Sequence, residues 1–465
     1  GLVLATIAGL VGYGGMVGLD RAEGTLRAGA TGRTIVLYFV AFAGFVLALW
    51  WHERRGIPWR WLWIAPIVFR VLLLFTAPTL SDDVYRYLWD GHLLTEGVNP
   101  YSAVVDDPAL DEYETEVRAH VNNPTYATPY LPATQLVFGG AAAMFPSEPI
   151  VMQLLMVGFD LVAALLIVRL LALAALPRGR VLLYLWNPLV IVEVAHGAHL
   201  DGLMLALTLS AVLATLQRPA RAPWPAAPVA LGLATLTRLV PVLALPTLWW
   251  RWTRRQRMAY GGTLVLLLVP FATGAGWGLT GTPDRTGVFG SIRVFVDEVT
   301  FNGGLYQWLD RWLTERGMSD PAATARLLTG LALVVVLAAV ALRARRVDDD
   351  RGLLRLLAVP FMASILLASI LHPWYVLIVL ALLPFIPPAG SERRQRWWYV
   401  IPWLYLAAAL PLSYLTYREP EAFGELEWVR RVEWLPMLAL LVVTTWLGSR
   451  GRTTRSAAPA LETRA

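Results

Sequence analysis

The chain has 465 residues, 57% of them hydrophobic and only 15% charged, with a net charge of +6 and no cysteine. A soluble protein of this length has no interior large enough for so much apolar surface, so the composition points to a polytopic membrane protein. The lack of cysteine excludes disulfides, thiol catalysis and cysteine-based zinc or iron–sulfur centres, and the arginines cluster in short loops between apolar runs, a positive-inside pattern rather than a nucleic-acid surface.

In chain order, residues 2–19 and 34–51 are apolar runs of spanning length, the first read as a span in preference to a signal peptide. The loop after them carries Arg54, Arg55 and Arg60 and reads as cytoplasmic. A third run, residues 61–80, then emerges on the opposite face. It ends at SDDVYRYLWDGHLLTEGVNPY, residues 81–101, which opens on Asp82 and Asp83 and carries Tyr85, Tyr87, Trp89 and Tyr101. The loop continues acidic through Asp106, Asp107, Asp111, Glu112, Glu114 and Glu116, so the predicted active face is extracytoplasmic. Residues 130–145 are apolar but bracketed by Pro129, Pro132 and Pro146, and read as a helix lying in the interface.

Residues 150–171 return to the cytoplasm, and a short outward run broken at Asn187–Pro188 ends in VEVAHGAHLDG, with Glu193, His196, His199 and Asp201. Residues 203–216 go back to Arg218 and Arg221. Residues 226–250 lie between two basic loops, so they are expected to go up and come back as two arms. Each arm is about 12 residues, ~18 Å of helix, too short to cross. Arg238 falls at the apex, where a cation needs an anionic partner or water. Spans follow at 260–277, 327–342, 353–371, 375–386, 397–414 and 434–447, with polar pieces FNGGLYQWLD and HPWY at outer ends. Basic residues Arg393, Arg394 and Arg396 mark a further cytoplasmic loop. The fold expected is all-α and polytopic, with about 12–14 transmembrane segments and a large first extracytoplasmic loop carrying interfacial helices.

Four span ends carry residues suited to chemistry. Asp83 is the first candidate for a general base, which takes a proton from an attacking hydroxyl, with Asp82 as a second base or acceptor ligand. S-D-D is equally a good helix N-cap sequence, and one aspartate can cap while the other faces the site. Arg238 suits a phosphate, because a guanidinium binds one bidentately; its alternative is a structural ion pair. His372 and Tyr375 of HPWY would donate to the same phosphate, or anchor the interface as an aromatic belt. His196, His199 and Asp201 resemble a metal cluster by type only; a polar lining for sugar hydroxyls, from His199 and Asp201, is the reading taken, and no metal or cofactor is expected. Tyr87, Trp89, Tyr101 and Asn302 complete the candidate sugar and acceptor contacts.

These pieces, SDDVYRY, NPY, YLPATQLVF, WNPLVIVEVAHGAHLDGLMLAL, TRLVP, FNGGLYQWL and HPWY, occur in an order that resembles the GT-C superfamily of polytopic glycosyltransferases. More narrowly, it is similar to bacterial polyprenol-phosphate-mannose-dependent mannosyltransferases. The resemblance implies that the outer-loop base is Asp83, that the family's basic residue before an L-x-P step is Arg238, and that the phosphate-side histidine is His372. It implies an inverting displacement on a polyprenyl-phosphate sugar, carried out on the extracytoplasmic face of the inner membrane, with a lipid or glycan as acceptor and membrane lipids as surroundings. Mannose is the implied sugar; arabinose, glucose and galactose stay open. The organisation expected is residues 1–60 as accessory segments and 61–390 as the catalytic module, with outer loops 81–148 and 277–325. Further segments follow at 391–449, then a disordered tail at 450–465. Rival readings are a lipid-linked-sugar flippase, whose charges would line a midplane path, and a glycan polymerase or ligase with a roomier outer cavity.

Overall fold

The computed structural model describes residues 1–217, 225–279, 285–386, 398–418 and 424–456, with side chains given as far as 447. The expected cytoplasmic arginines Arg218, Arg221, Arg393, Arg394 and Arg396 and the end of the tail lie outside the described residues. Helices provide the regular structure, and the only pairing of extended backbone among the described residues is at Phe301, Asn302 and Ile370. The protein is an all-α polytopic membrane protein.

Five described helices are long and apolar enough to cross a membrane. They are α1 (Leu2–Glu23), the run Ala28–Arg55 containing α2 (Thr31–Arg55), and three further helices, Pro149–Leu173, Arg254–Ala275 and Pro321–Ala344. Pro188–His196 and Asp201–Leu216 are long and apolar enough only as a pair, and the chain bends by 116° between them, the geometry of a broken span or a re-entrant loop. Several of the remaining apolar runs form shorter helices than the sequence suggests, although 434–447 lies within the longer helix Glu427–Ser456. Proline cuts several of them, at Pro241 and Pro246, Pro373 and Pro384, and Pro402 and Pro411, because it removes a backbone donor and crowds the preceding turn. What the apolar runs predict as about 12–14 segments is therefore built with fewer full-length helices and several partial ones.

Between the spans, α3 (Trp59–Leu73) leads to the first of the two loops expected outside (81–148 and 277–325, which keep the name outer loops), and this loop holds α4 (Asp83–Thr95) and α5 (Pro132–Met144). The last is the helix expected within residues 130–145. Helices α4 and α5 touch closely at Gly91, where any Cβ would stand 2.5 Å from the Phe138 carbonyl oxygen. Arg86 fastens the rest of the loop by donating to the carbonyls of Asn122, Asn123 and Tyr126.

Helix α6 (Pro149–Leu173) packs against α9 (Asp201–Leu216), again through a glycine: a Cβ on Gly202 would meet the Met156 carbonyl at 2.6 Å. Small residues let apolar helices approach to backbone contact where no hydrophobic force separates lipid from protein. α6 also carries Asp160, whose carboxylate is fully buried 2.5 Å from Arg70 Nε of α3 and accepts from the Tyr184 hydroxyl. This ion pair ties α3 to α6 inside the bundle.

The region 226–250 breaks where expected. Helix α10 (Ala226–Thr235) stops just before Arg238, and the chain resumes as a tight turn at Val240–Ala244. The end of α10 joins the outer loop, since Ala133 N at the start of α5 donates to the Leu236 carbonyl at 3.0 Å.

Candidate active site

The site is assembled from five chain ends that converge on one end of the bundle. Asp83 opens α4. Asp82 sits at the N-cap position but makes no side-chain cap bond. Its carboxylate instead meets Arg27 at 2.6 Å, from the turn between α1 and α2. Arg27 also donates to the Leu80 carbonyl and lies over the Tyr417 ring. Asp82 is thus held from outside while Asp83, next to it, turns inward. Asp83 Oδ1 is 3.5 Å from Asn122 Nδ2, and Oδ2 is 3.8 Å from His199 Nδ1. Burial pushes the Asp83 carboxyl above its ordinary value, against the pull of Arg238, Asn122 and Tyr130.

His199 and Asp201 lie in the bend between Pro188–His196 and Asp201–Leu216. The bend is fixed from behind by Gln153, which donates to the carbonyls of Thr76, Ala195 and His196, and by His196, which contacts Thr76 Oγ1 at 2.8 Å and accepts from Leu80 N. His196 is therefore occupied in joining the bend to the end of α3. His199 is buried, stacks on Trp374 at 3.8 Å, and has Nε2 3.2 Å from Glu193. Asp201, at the start of α9, lies 3.4 Å from Arg238.

Arg238 projects from the break after α10, its guanidinium 5.4 Å above the Tyr375 ring. His372 and Tyr375 come from the segment after α16 (Asp350–Leu367), which the second outer loop holds in place: Leu371 N donates to the Phe301 carbonyl and Phe301 N to that of Ser369. The imidazole of His372 stacks between Phe301 and Trp374, at 4.7 and 4.5 Å, with Tyr375 edge-on. Contacts therefore run without a gap from Asp83 through His199, Trp374, His372 and Tyr375 to Arg238 and Asp201. The side chains of Asp83 and Arg238 keep 18% and 16% of their exposure, whereas His199 and Asp201 between them are closed off.

Other expected contacts fall elsewhere. Tyr87 lies beneath the site, fully buried, with its ring stacked on Phe138 and edge-on to Tyr130. Trp89 is 1% exposed and covered by Arg118, and Tyr101 is buried with its hydroxyl donating to the Tyr130 carbonyl, so neither ring offers a face for stacking a sugar. Asn302 turns its amide to Glu433 at 2.6 Å, and its backbone N–H donates to Glu425. Its left-handed backbone, φ 51, sets the tight turn that precedes α14 (Gly304–Glu315). Trp374, Arg27 and Asn122 are not singled out by the sequence, and Glu193 is noted there without a role of its own. No group of three or more His, Cys, Asp or Glu among the described residues has the arrangement to hold a metal ion.

The membrane helices thus gather a carboxylate, a guanidinium and stacked aromatic rings at one end of the bundle. The family model described as "Alpha-(1->6)-mannopyranosyltransferase, N-terminal domain" matches residues 3–254, more than half of the chain. The chain belongs to that family, and its chemistry is mannosyl transfer. It is similar to alpha-(1->6)-mannopyranosyltransferase A of Mycobacterium tuberculosis (strain ATCC 25618 / H37Rv), with 25% identity over 417 residues, covering 78% of this chain and 75% of the relative. No solved structure matches significantly.

Proposed function

We propose that this mannosyltransferase takes its sugar from a polyprenyl-phosphate carrier and passes it, with inversion, to a lipid or glycan acceptor on the extracytoplasmic face of the cell membrane. Asp83 removes the acceptor hydroxyl's proton as that oxygen attacks the anomeric carbon. The bond from that carbon to the phosphate oxygen breaks, and the electron pair leaves with the phosphate. Arg238 receives the developing charge, with Tyr375 and His372 beside it. Arg238 keeps donors for this task, since its Nε has no hydrogen-bond partner and its contact with Asp201 uses one amino group. A β-linked donor then gives an α-linked product. The name of the mycobacterial relative favours a 1→6 linkage, which makes the acceptor group a primary hydroxyl.

The observation that supports this reading most is the partial exposure of Asp83 and Arg238 on one continuous cluster in which His199 and Asp201 are closed off. A base and an anion holder kept open at a membrane boundary suit a substrate with a hydroxyl on one part and a lipid phosphate on the other. The test is transfer by purified protein in lipid nanodiscs from radiolabelled polyprenyl-phosphate mannose to a mannan acceptor. Label released by α-mannosidase supports the reading. Transfer only from a nucleoside-diphosphate mannose would overturn the donor, and transport in proteoliposomes without transfer would favour a flippase.

A further inference from the structure

A base that takes a proton must lose it before the next round, and the side chain best placed to receive it from Asp83 is His199. Its Nδ1 lies 3.8 Å from Asp83 Oδ2 and its Nε2 3.2 Å from Glu193 Oε2. The ring is held by its stacking on Trp374, 18° from parallel. Glu193 is buried and accepts from the Tyr414 hydroxyl at 2.9 and 3.0 Å. Neither ring nitrogen of His199 makes a hydrogen bond of good geometry. Leaving buried polar atoms unsatisfied is costly, so this is an unusual arrangement for a side chain kept for packing alone.

The other ionisable groups around it are committed. Asp82 is held by Arg27, Asp201 faces Arg238, and His196 has both nitrogens engaged. His372 is stacked behind Trp374, with Tyr375 edge-on to it, and Tyr87 and Tyr130 pack against each other under α4. His199 alone in this group touches two carboxylates.

We propose that His199 and Glu193 are positioning residues that reset Asp83 after each transfer, an inference that rests on Asp83 being the base. With Glu193 Oε2 the nearer carboxylate oxygen, 3.2 Å from Nε2, the ring proton is favoured on that side and the neutral ring turns a bare Nδ1 toward Asp83. A bare nitrogen gives a carboxylate no hydrogen bond, so Asp83 stays free to take the acceptor's proton. Once Asp83 is the neutral acid, its proton passes to Nδ1 as the Nε2 proton passes to Glu193, and the Asp83 carboxylate is restored. When product leaves, water reaches the open Asp83 carboxylate, which hands the Nδ1 proton on to it as Glu193 returns its own to Nε2, for a net release of one proton.

The test is steady-state kinetics across pH for His199→Gln, Glu193→Gln and Tyr414→Phe, with Asp83→Asn alongside, in nanodiscs with polyprenyl-phosphate mannose as donor. The two glutamine variants should keep the donor KM within about twofold and lose kcat by about 10- to 100-fold. Glu193→Gln should leave the acid limb of kcat in place, because that limb belongs to Asp83 and the groups acting on it are Arg238, Asn122, Tyr130 and Asp82. Tyr414→Phe, which keeps the ring's packing, should lower kcat by a few-fold, about two to ten, at unchanged KM, and carries the test if His199→Gln does not fold. Folded variants with the wild-type rate, or a raised KM at unchanged kcat, would overturn the relay. An inactive Asp83→Asn beside normal glutamine variants removes the relay alone; an active Asp83→Asn removes the base assignment and the relay together.

Discussion

Asp82 and Asp83 are neighbours in sequence with opposite commitments: Asp82 is bound by Arg27 at 2.6 Å, while Asp83 faces inward to His199 at 3.8 Å. One backbone step separates a carboxylate that holds the α1–α2 turn to the outer loop from one that is left available. Their roles should separate in the same way.

Asp82→Asn should therefore be mild. The pair with Arg27 is part-exposed, at 33% and 23%, and such pairs contribute about 0–1 kcal/mol. The expected loss in kcat/KM is less than about fivefold, and Arg27→Gln should match it. Mannosyl transfer by the two variants checks this. A loss as large as that of Asp83→Asn would make Asp82 a base in its own right.

Arg238 should respond to geometry as well as charge. Arg238→Lys keeps the cation but loses the planar fork, so the donor KM should rise about tenfold. Arg238→Gln should lower kcat/KM by on the order of 10² or more. Donor titrations of the two variants give both numbers. Equal behaviour of Lys and Arg would reduce Arg238 to a point charge paired with Asp201.

Much of this cluster can be read from the sequence, because its members stand at the ends of apolar runs, where charge is conspicuous. Asp83, Arg238, His372 and Asp201 stand out for that reason. The rings are a different matter. Trp89 and Tyr101 look like sugar platforms by type, yet nothing in a sequence tells a buried ring from an open one, and both are packed inside the outer loop. Asn302 is similar: its NGG context marks a turn, but its partner Glu433 is far along the chain. Arg27 had no signal, since the turn that carries it is short and unremarkable. Arg70 and Asp160 did have one, as lone charges inside apolar runs. Their pairing is a tertiary fact, but the need for a partner is legible from burial alone.

That pair yields a stability prediction. Asp160→Asn or Arg70→Met leaves a charged or polar partner buried without its counterpart, at a cost of about 3–5 kcal/mol. Replacing both with apolar residues of similar size should cost much less. Thermal unfolding in detergent would show it. Single variants as stable as wild type would contradict the pairing.

The pH dependence follows from burial of Asp83. Its carboxyl lies above the ordinary value of 3.8, chiefly through loss of water, and Arg238, Asn122 and Tyr130 pull it back down. As the proposed base, Asp83 works ionised, so kcat/KM should rise with pH through this raised pKa and fall as the carboxyl is protonated. Asn122→Ala removes a hydrogen bond that favours the ionised form and should move the limb to higher pH. A limb unmoved in Asn122→Ala, or moved to lower pH, would place the titrating group elsewhere.

The most direct measurement is transfer of labelled mannose from polyprenyl-phosphate mannose by Asp83→Asn beside wild type, both in nanodiscs and both shown to bind donor. The account predicts that donor binding persists while transfer falls by about 10²–10⁴-fold. Transfer within a few-fold of wild type would contradict it.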